Sequence, residues 1–174
     1  MMKNITQPPL VSVVIPHYGG KDILSECLIS LKNCIYPNLE IIVVDNDSPD
    51  DSAQYIKTNF PEINLIQSEY NRGFTGGCNF GVQHAKGEYI LILNNDTTHE
   101  VDWIDHLIDR IESNTSISAV QPKIKNDKKQ DYFDFAGACG GFMDKYCFPF
   151  ARGRIFNTVE KDTGQYDRAC KIFW

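Results

Sequence analysis

The sequence predicts an α/β protein built on a mostly parallel central sheet, and three observations lead there. Apolar runs of strand length alternate with stretches whose apolar residues recur at helical spacing. The joins between them are short, which favours right-handed βαβ crossovers with helices on both faces of the sheet. Polar clusters follow the strand candidates one after another, and a parallel sheet gathers such clusters along a single rim.

Leu10 to Pro16 (LVSVVIP) is an apolar, β-branched run that reads as the first strand, and Ile23, Leu24, Cys27, Leu28 and Leu31 then recur as one face of a helix. Leu39 to Val44 (LEIIVV) is a second buried strand. In the DNDSPDDS that follows, Ser48 suits a helix cap and Pro49 the first helical position, with Asp50 and Asp51 favouring the positive end. This helix should run to about Phe60, ahead of Pro61. Ile63 to Gln67 is the third strand, and NRGFTGGCNFGVQHA a glycine-rich turn entering a third helix. Tyr89 to Leu93 is a fourth buried strand, Val101, Ile104, Leu107, Ile108 and Ile111 mark a fourth amphipathic helix, and Ile117 to Gln121 is expected as a short fifth strand.

From about Asn126 the alternation fails. The segment is charged, glycine-containing and aromatic with little periodicity, and is expected to be loop-rich with two short strands. The last four residues, Lys171-Ile172-Phe173-Trp174, form an apolar strand-like run with no polar stop after it, so the sequence is expected to be an amino-terminal piece cut within its domain.

With 174 residues the chain has the size of one ordinary domain and is long enough to bury a core. Apolar residues at 42% and charged residues at 23% describe a globular protein, and no apolar run approaches the roughly 18 residues of a membrane helix. MMKNITQPPL lacks the apolar centre and cleavage site of a secretion signal, which makes the cytoplasm the expected location; peripheral attachment to a membrane is compatible with the same features. A formal charge of −6 argues against a phosphate-backbone binder, so nucleic acid is not an expected partner. The six cysteines form no CxxC pair and no zinc spacing, and are read as free thiols used mostly in core packing.

The candidate site lies in the clusters that end the strands: Pro16-His17-Tyr18, Asp45-Asn46-Asp47, the segment after Gln67, and Asn94-Asn95-Asp96. Asp96 follows an apolar strand, where a carboxylate with limited access to water is costly unless a cation meets it. A divalent ion bridging to a diphosphate would be such a partner, and Asn94 and Asn95 would orient the ligand or its waters. A helix cap explains the same three residues equally well. Asp45 suits hydrogen bonds to a base or ribose; the competing explanation, an Asx-turn leading to Ser48, fits Asp47 better. Asn71-Arg72-Gly73 and Gly76-Gly77 would offer backbone N–H groups and a guanidinium to phosphate or base, although a lone glycine-rich loop is more often a turn. His17 either lines the cleft or is a polar loop residue. The loop is not GxGxxG, no P-loop lysine is present, and no nucleophile arrangement supports hydrolase chemistry.

In order along the chain, VSVVIPHYGG, EIIVVDNDSPDDS, NRGFTGGCNFGVQHAKGEYILILNNDT and the later GACGGF and FARGR resemble the amino-terminal part of a family 2 glycosyltransferase of the GT-A fold, nearest in appearance to bacterial rhamnosyltransferase-like enzymes of cell-surface polysaccharide assembly. The resemblance implies a Rossmann-like, three-layer α/β/α architecture, with residues 1–125 as the nucleotide-sugar-binding part and 126–174 as a loop-rich start of the acceptor side. It implies that Pro16, His17, Asp45 and Asp47 line a nucleotide pocket, that Asn71, Arg72, Gly73 and Gly77 shape its other wall, and that Asn94-Asn95-Asp96 stands where the family carries its DxD motif. Asn94 replaces the first Asp of that motif, leaving Asp96 as the metal ligand for Mg²⁺ or Mn²⁺.

The reaction so implied transfers a sugar from a nucleoside diphosphate donor, UDP- or dTDP-linked, to a saccharide or lipid-linked saccharide hydroxyl with inversion, at the inner face of the membrane. The general base would be an acidic residue past Trp174, so this chain alone is expected to bind nucleotide and to transfer sugar poorly. A nucleotidyltransferase and a non-catalytic nucleotide-sugar-binding module are the alternatives.

Overall fold

The computed structural model describes residues 7–134, 139–168 and 170. The leader residues 1–6, the start of GACGGF and the 171–174 run lie outside them. The chain divides into two compact units, residues 1–102 and 103–174.

The first unit holds four parallel strands: β1 (Val11–His17), β2 (Leu39–Asp45), β3 (Asn64–Gln67) and β4 (Tyr89–Ile92), in the spatial order β3-β2-β1-β4. β1 is buried along its whole length, as its unbroken apolar run requires of a strand covered on both faces. α1 (Lys21–Lys32) buries Leu24, Cys27, Leu28 and Leu31, the predicted stripe, and each leucine contributes roughly 1.5–3 kcal/mol by leaving water. Ile23 falls at the stripe's edge and is exposed.

The crossovers fix the layers. Passing from β1 to β2 and on to β3 moves one way across the sheet, whereas β3 to β4 returns past β1 to its far side. Right-handed connections therefore place α1 and α2 (Ser52–Asn59) on one face and α3 (Gly73–Val82) on the other. On the α3 face the parallel register aligns Val14 with Ile42 and Val44 with Ile66, and these pack with Phe80 and Ala85. The glycine-rich segment is itself helical, and its glycines serve close packing. A Cβ on Gly81 would collide with Val14 Cγ1 and lie 2.8 Å from Val44 Cγ2, and one on Gly77 would lie 3.2 Å from Pro16 Cβ.

Several expectations are corrected. α2 begins at Ser52, with Asp51 as its N-cap residue, rather than at Pro49. The expected cap is engaged elsewhere, Ser48 Oγ accepting from Gly19 N (3.0 Å), while Asp50 serves both ends, Oδ2 accepting from Gly20 N (2.8 Å) and Oδ1 from Ser52 N at the helix start (3.1 Å). Gly19 and Gly20 have φ of 68° and 84°, the left-handed region that glycine enters without steric cost, so this turn depends on them. β4 is only half buried. It pairs with β1 alone among the described residues, and Ile90 and Ile92 on one face are 41% and 44% exposed. His17 is the last residue of β1, 2% exposed, and not a loop residue. Core packing holds for Cys27 and Cys78 but not for exposed Cys147 and Cys170, and none of the six is joined in a disulfide.

In the second unit, α4 (Trp103–Glu112) has the predicted amphipathic face, with Ile104 fully buried. Val101, expected to open it, lies before it and is exposed. The fifth strand expected at Ile117 to Gln121 does not form: the segment pairs with no described strand, and its serine and alanine are exposed. Two hairpins appear instead, β5 (Gly141–Met143) with β6 (Pro149–Ala151) and β7 (Arg154–Ile155) with β8 (Thr158–Val159). Phe133 anchors this unit at 1% exposure against Tyr166, and Lys123 pairs with Asp162 (2.9 Å) and Asp167 (2.6 Å).

Candidate functional site

Because all four strands run parallel, their carboxyl ends share one rim, and the sheet's hydrogen bonding extends into the loops. Asn46 N donates to His17 O (2.8 Å), Ser68 N to Asp45 O (2.8 Å) and Leu93 N to Val14 O (3.0 Å). The order in which strands are added to the sheet reverses between β1 and β4, and open α/β sheets place ligands at such a switch point, where loops diverge and leave a crevice. A cleft of about 420 Å³ lies there, lined by Pro16, Phe74, Asn94, Asn95 and Asp96.

Four of the predicted site residues thus converge directly. Asp96 is exposed, contrary to the limited access expected of it, because the strand before it is only half covered. Asn95 is half buried, and its Nδ2 lies 2.9 Å from His17 Nδ1 beneath the cleft. The opposite ring nitrogen, Nε2, is buried with no hydrogen-bond partner. Burial lowers the His17 pKa, partly offset by the carboxylates of Asp45 and Asp50. Gly77 stands against Pro16.

The other candidates occupy the rim beside the cleft. Asp45 is 4% exposed, and its Oδ1 accepts from Ser48 N at 3.1 Å. The turn expected of Asp47 is therefore made by Asp45, while Asp47 is exposed with φ 65°. Arg72 is held rather than free: Nε donates to Ser68 Oγ (2.8 Å), Nη1 to Tyr70 OH (3.1 Å), and the guanidinium lies 4.5 and 4.4 Å from the Tyr70 and Phe80 ring centroids. Asn71 Oδ1 accepts from Gly73 N at 2.8 Å, closing a tight turn at the start of α3.

Two residues to which the sequence assigned no role of their own organise the rim. Asn46, 3% exposed, ties the α3 entrance to the sheet: Nδ2 donates to Asn71 Oδ1 (3.1 Å) and Gly73 O (3.1 Å), and Oδ1 accepts from Arg72 N (2.9 Å). An amide directly after a buried strand was its only signal. Phe74 presents an exposed ring to the cleft; nothing in GFTGG distinguishes it from a core residue.

Behind the Asn94–Thr97 turn, His99 places Nδ1 2.7 Å from Ser30 Oγ of α1 and Nε2 3.0 Å from Thr97 Oγ1, and burial lowers its pKa to about 4. Thr97 Oγ1 also donates to Asn94 O (3.0 Å). The cleft's carboxylate-bearing turn is thereby pinned to a helix.

The chain as a whole is similar to known proteins. An uncharacterized glycosyltransferase of Haemophilus influenzae is 30% identical over 115 residues, 64% of this chain and 36% of the relative. Poly-beta-1,6-N-acetyl-D-glucosamine synthase of Staphylococcus epidermidis is 29% identical over 121 residues, 67% of this chain and 29% of the relative. The chain thus spans about a third of the length of these curated relatives. The solved mannosyltransferase PcManGT of Pyrobaculum calidifontis, in complex with GDP-Man and Mn²⁺, superposes with a TM-score of 0.58 at 24% identity, over 71% of this chain and 38% of that one. That likeness shows the GT-A-like fold, with its mostly parallel sheet and flanking helices. Residues 12–163 match the description Glycosyl transferase family 2, and over that span, which takes in the whole rim, the chain belongs to this family.

Proposed function

We propose that the cleft between the ends of β1 and β4 binds a nucleoside diphosphate sugar, UDP- or dTDP-linked, and that the protein transfers the sugar with inversion to a saccharide or lipid-linked saccharide hydroxyl. The pathway is bacterial cell-surface polysaccharide assembly at the cytoplasmic face of the membrane, by an enzyme of the rhamnosyltransferase-like kind. The observation that carries the reading is the position of Pro16, Asn94, Asn95 and Asp96 around one crevice at the sheet's switch point. The polysaccharide synthase among the relatives supports the pathway. No helix among the described residues is long and apolar enough to cross a membrane.

The residues present fit a divalent cation of the hard, oxygen-preferring kind. Asp96 offers an exposed carboxylate at the cleft, and no group of three His, Cys, Asp or Glu side chains among the described residues is placed to hold a metal unaided. Asp96 would therefore share the ion with diphosphate oxygens, as Mg²⁺ and Mn²⁺ sites commonly do. When bound, the ion supplies charge neutralisation for the departing diphosphate. The protein's own groups position the rest: Asp45 receives base or ribose N–H or O–H groups, Asn95 orients the ligand above His17, and the Asn71–Gly73 turn, fixed by Asn46, forms the wall beyond. The acceptor hydroxyl loses its proton to a carboxylate base.

The test is thermal unfolding with UDP, dTDP, GDP and ADP, with and without Mn²⁺, for the wild type and Asp96→Asn. A diphosphate at roughly a hundredfold excess over its Kd stabilises by about 2.7 kcal/mol, or about 5–10 °C for a chain of this size. One diphosphate should stabilise chiefly with metal, and Asp96→Asn should remove the metal-dependent part. Equal shifts in the variant would remove Asp96 from the site, and no shift with any nucleotide would overturn the reading.

A further inference from the structure

We propose that His17 sets the hydrogen-bonding polarity of the cleft, by holding the Asn95 amide with its nitrogen inward and its carbonyl oxygen outward, so that the ligand group met there is a hydroxyl donor and not a phosphate oxygen. This rests on the nucleotide-sugar reading above and specifies which part of the ligand Asn95 takes.

The placement of the amide decides the tautomer. Asn95 Nδ2 carries only hydrogens, and it lies 2.9 Å from His17 Nδ1. Nδ1 must therefore present its lone pair, which places the ring proton of neutral His17 on Nε2. Asn95 Oδ1, at the other end of the planar amide, is left as the acceptor available to the cleft that Asn95 lines. A phosphate oxygen is itself an acceptor and gains nothing there, whereas a ribose or hexose hydroxyl donates well.

The site is built for this rather than incidental. His17 is 2% exposed at the end of β1, fixed by the strand ladder in register with Asp45, so its ring does not follow the ligand. Its Nε2 is buried without a partner, a cost that other residue types at this position would not incur. Rotation of the Asn95 amide would set Oδ1 against the Nδ1 lone pair unless the ring proton also moved, so amide and ring form one coupled unit.

Two measurements test this. Nitrogen NMR of the chain labelled at histidine should show His17 as the neutral tautomer protonated at Nε2; a proton on Nδ1 would overturn the proposal without reference to any ligand. Calorimetry should then compare the diphosphate that binds wild type best with its dideoxyribose analogue and with its sugar-linked form. Wild type should prefer a hydroxyl-bearing ligand by about tenfold, the effect of one hydrogen bond. The dideoxyribose arm assigns the hydroxyl to ribose; a preference seen only for the sugar-linked form assigns it to the transferred sugar. In His17→Leu that preference should fall to about twofold or less while the diphosphate still binds. An equal loss for all ligands marks His17 as merely structural and overturns the proposal. Asn95→Asp, which keeps an acceptor toward the cleft whether or not His17→Leu folds, should retain the preference, and its loss there would also count against the proposal. If no diphosphate binds wild type, the nucleotide reading fails; if one binds without hydroxyl preference, only this inference fails.

Discussion

Replacing Asn46 with alanine tests the rim at its most connected point. The side chain makes three hydrogen bonds, two donated by Nδ2 to Asn71 Oδ1 and Gly73 O and one accepted by Oδ1 from Arg72 N. At about 1 kcal/mol each they bound the loss at about 3 kcal/mol. Asn71 and Gly73 are exposed and recover part of their hydrogen bonding from water, whereas Arg72 N is half buried and does so poorly. The expected destabilisation of Asn46→Ala is therefore about 1.5–2.5 kcal/mol, read as a lower urea midpoint with unchanged slope. The backbone bond from Asn46 N to His17 O survives, so the sheet should keep its far-UV signal. Nucleotide stabilisation should fall further than stability does, because the Asn71–Gly73 turn loses its tether to the sheet. A loss below about 0.5 kcal/mol, the size of an ordinary surface substitution, would refute the assignment of Asn46 as the organising residue.

Gly81→Ala gains about 1 kcal/mol of helix propensity, but its Cβ collides with Val14 and crowds Val44; urea melts should show a net destabilisation of about 1–2 kcal/mol, and a stabilised variant would mean that α3 does not pack on the sheet at this distance. His99 has a folded pKa lowered to about 4 from 6.5, so the unfolded chain takes up its proton first. Stability is then fully present above about pH 6.5 and declines as pH falls towards 4, with His17 acting in the same direction. Urea midpoints from pH 7 to 4.5 should show this decline, flattened in His99→Gln; an identical slope in the variant would assign the effect elsewhere. Asp96→Asn should leave the urea midpoint within about 0.5 kcal/mol of wild type, since the carboxylate is exposed, and a larger loss would show a structural role.

β1 and β2 are legible in sequence because burial demands runs that are mostly apolar and β-branched, broken only by Ser12 and Glu40, and the α1 stripe is legible because only one of its faces is buried. What is not legible depends on contacts between residues far apart in the chain. Ser48 has the composition of a helix cap, yet a glycine N–H about thirty residues earlier takes its hydroxyl, and only the fold brings that donor close. Asn46 looks like one polar turn residue among several; its importance appears once Asn71, Arg72 and Gly73 arrive beside it. Asp96 was placed at the rim by the strand before it, but its exposure depends on what covers β4, which an apolar run does not reveal. Two short strands were expected past Asn126, but the pairings at 141–159 could not be placed, because strands of two or three residues carry too few alternations to register as a period.

The clusters that end the strands acquire chemical meaning from the order of the sheet. Had β4 joined beyond β3, Asn94–Asp96 would lie three strands away from His17, and both segments would be ordinary turns. The crossover past β1 instead brings Asn95 within hydrogen-bonding distance of a histidine 78 residues away, and the same step opens the crevice that Asp96 borders. Ordering those two loops against each other needs a strand pairing of long sequence separation, whose entropic cost is met by the ladder and not by the loops themselves. The polar residues at the rim therefore need not hold the strands together, and a buried ring nitrogen of His17 stands among them without a hydrogen-bond partner.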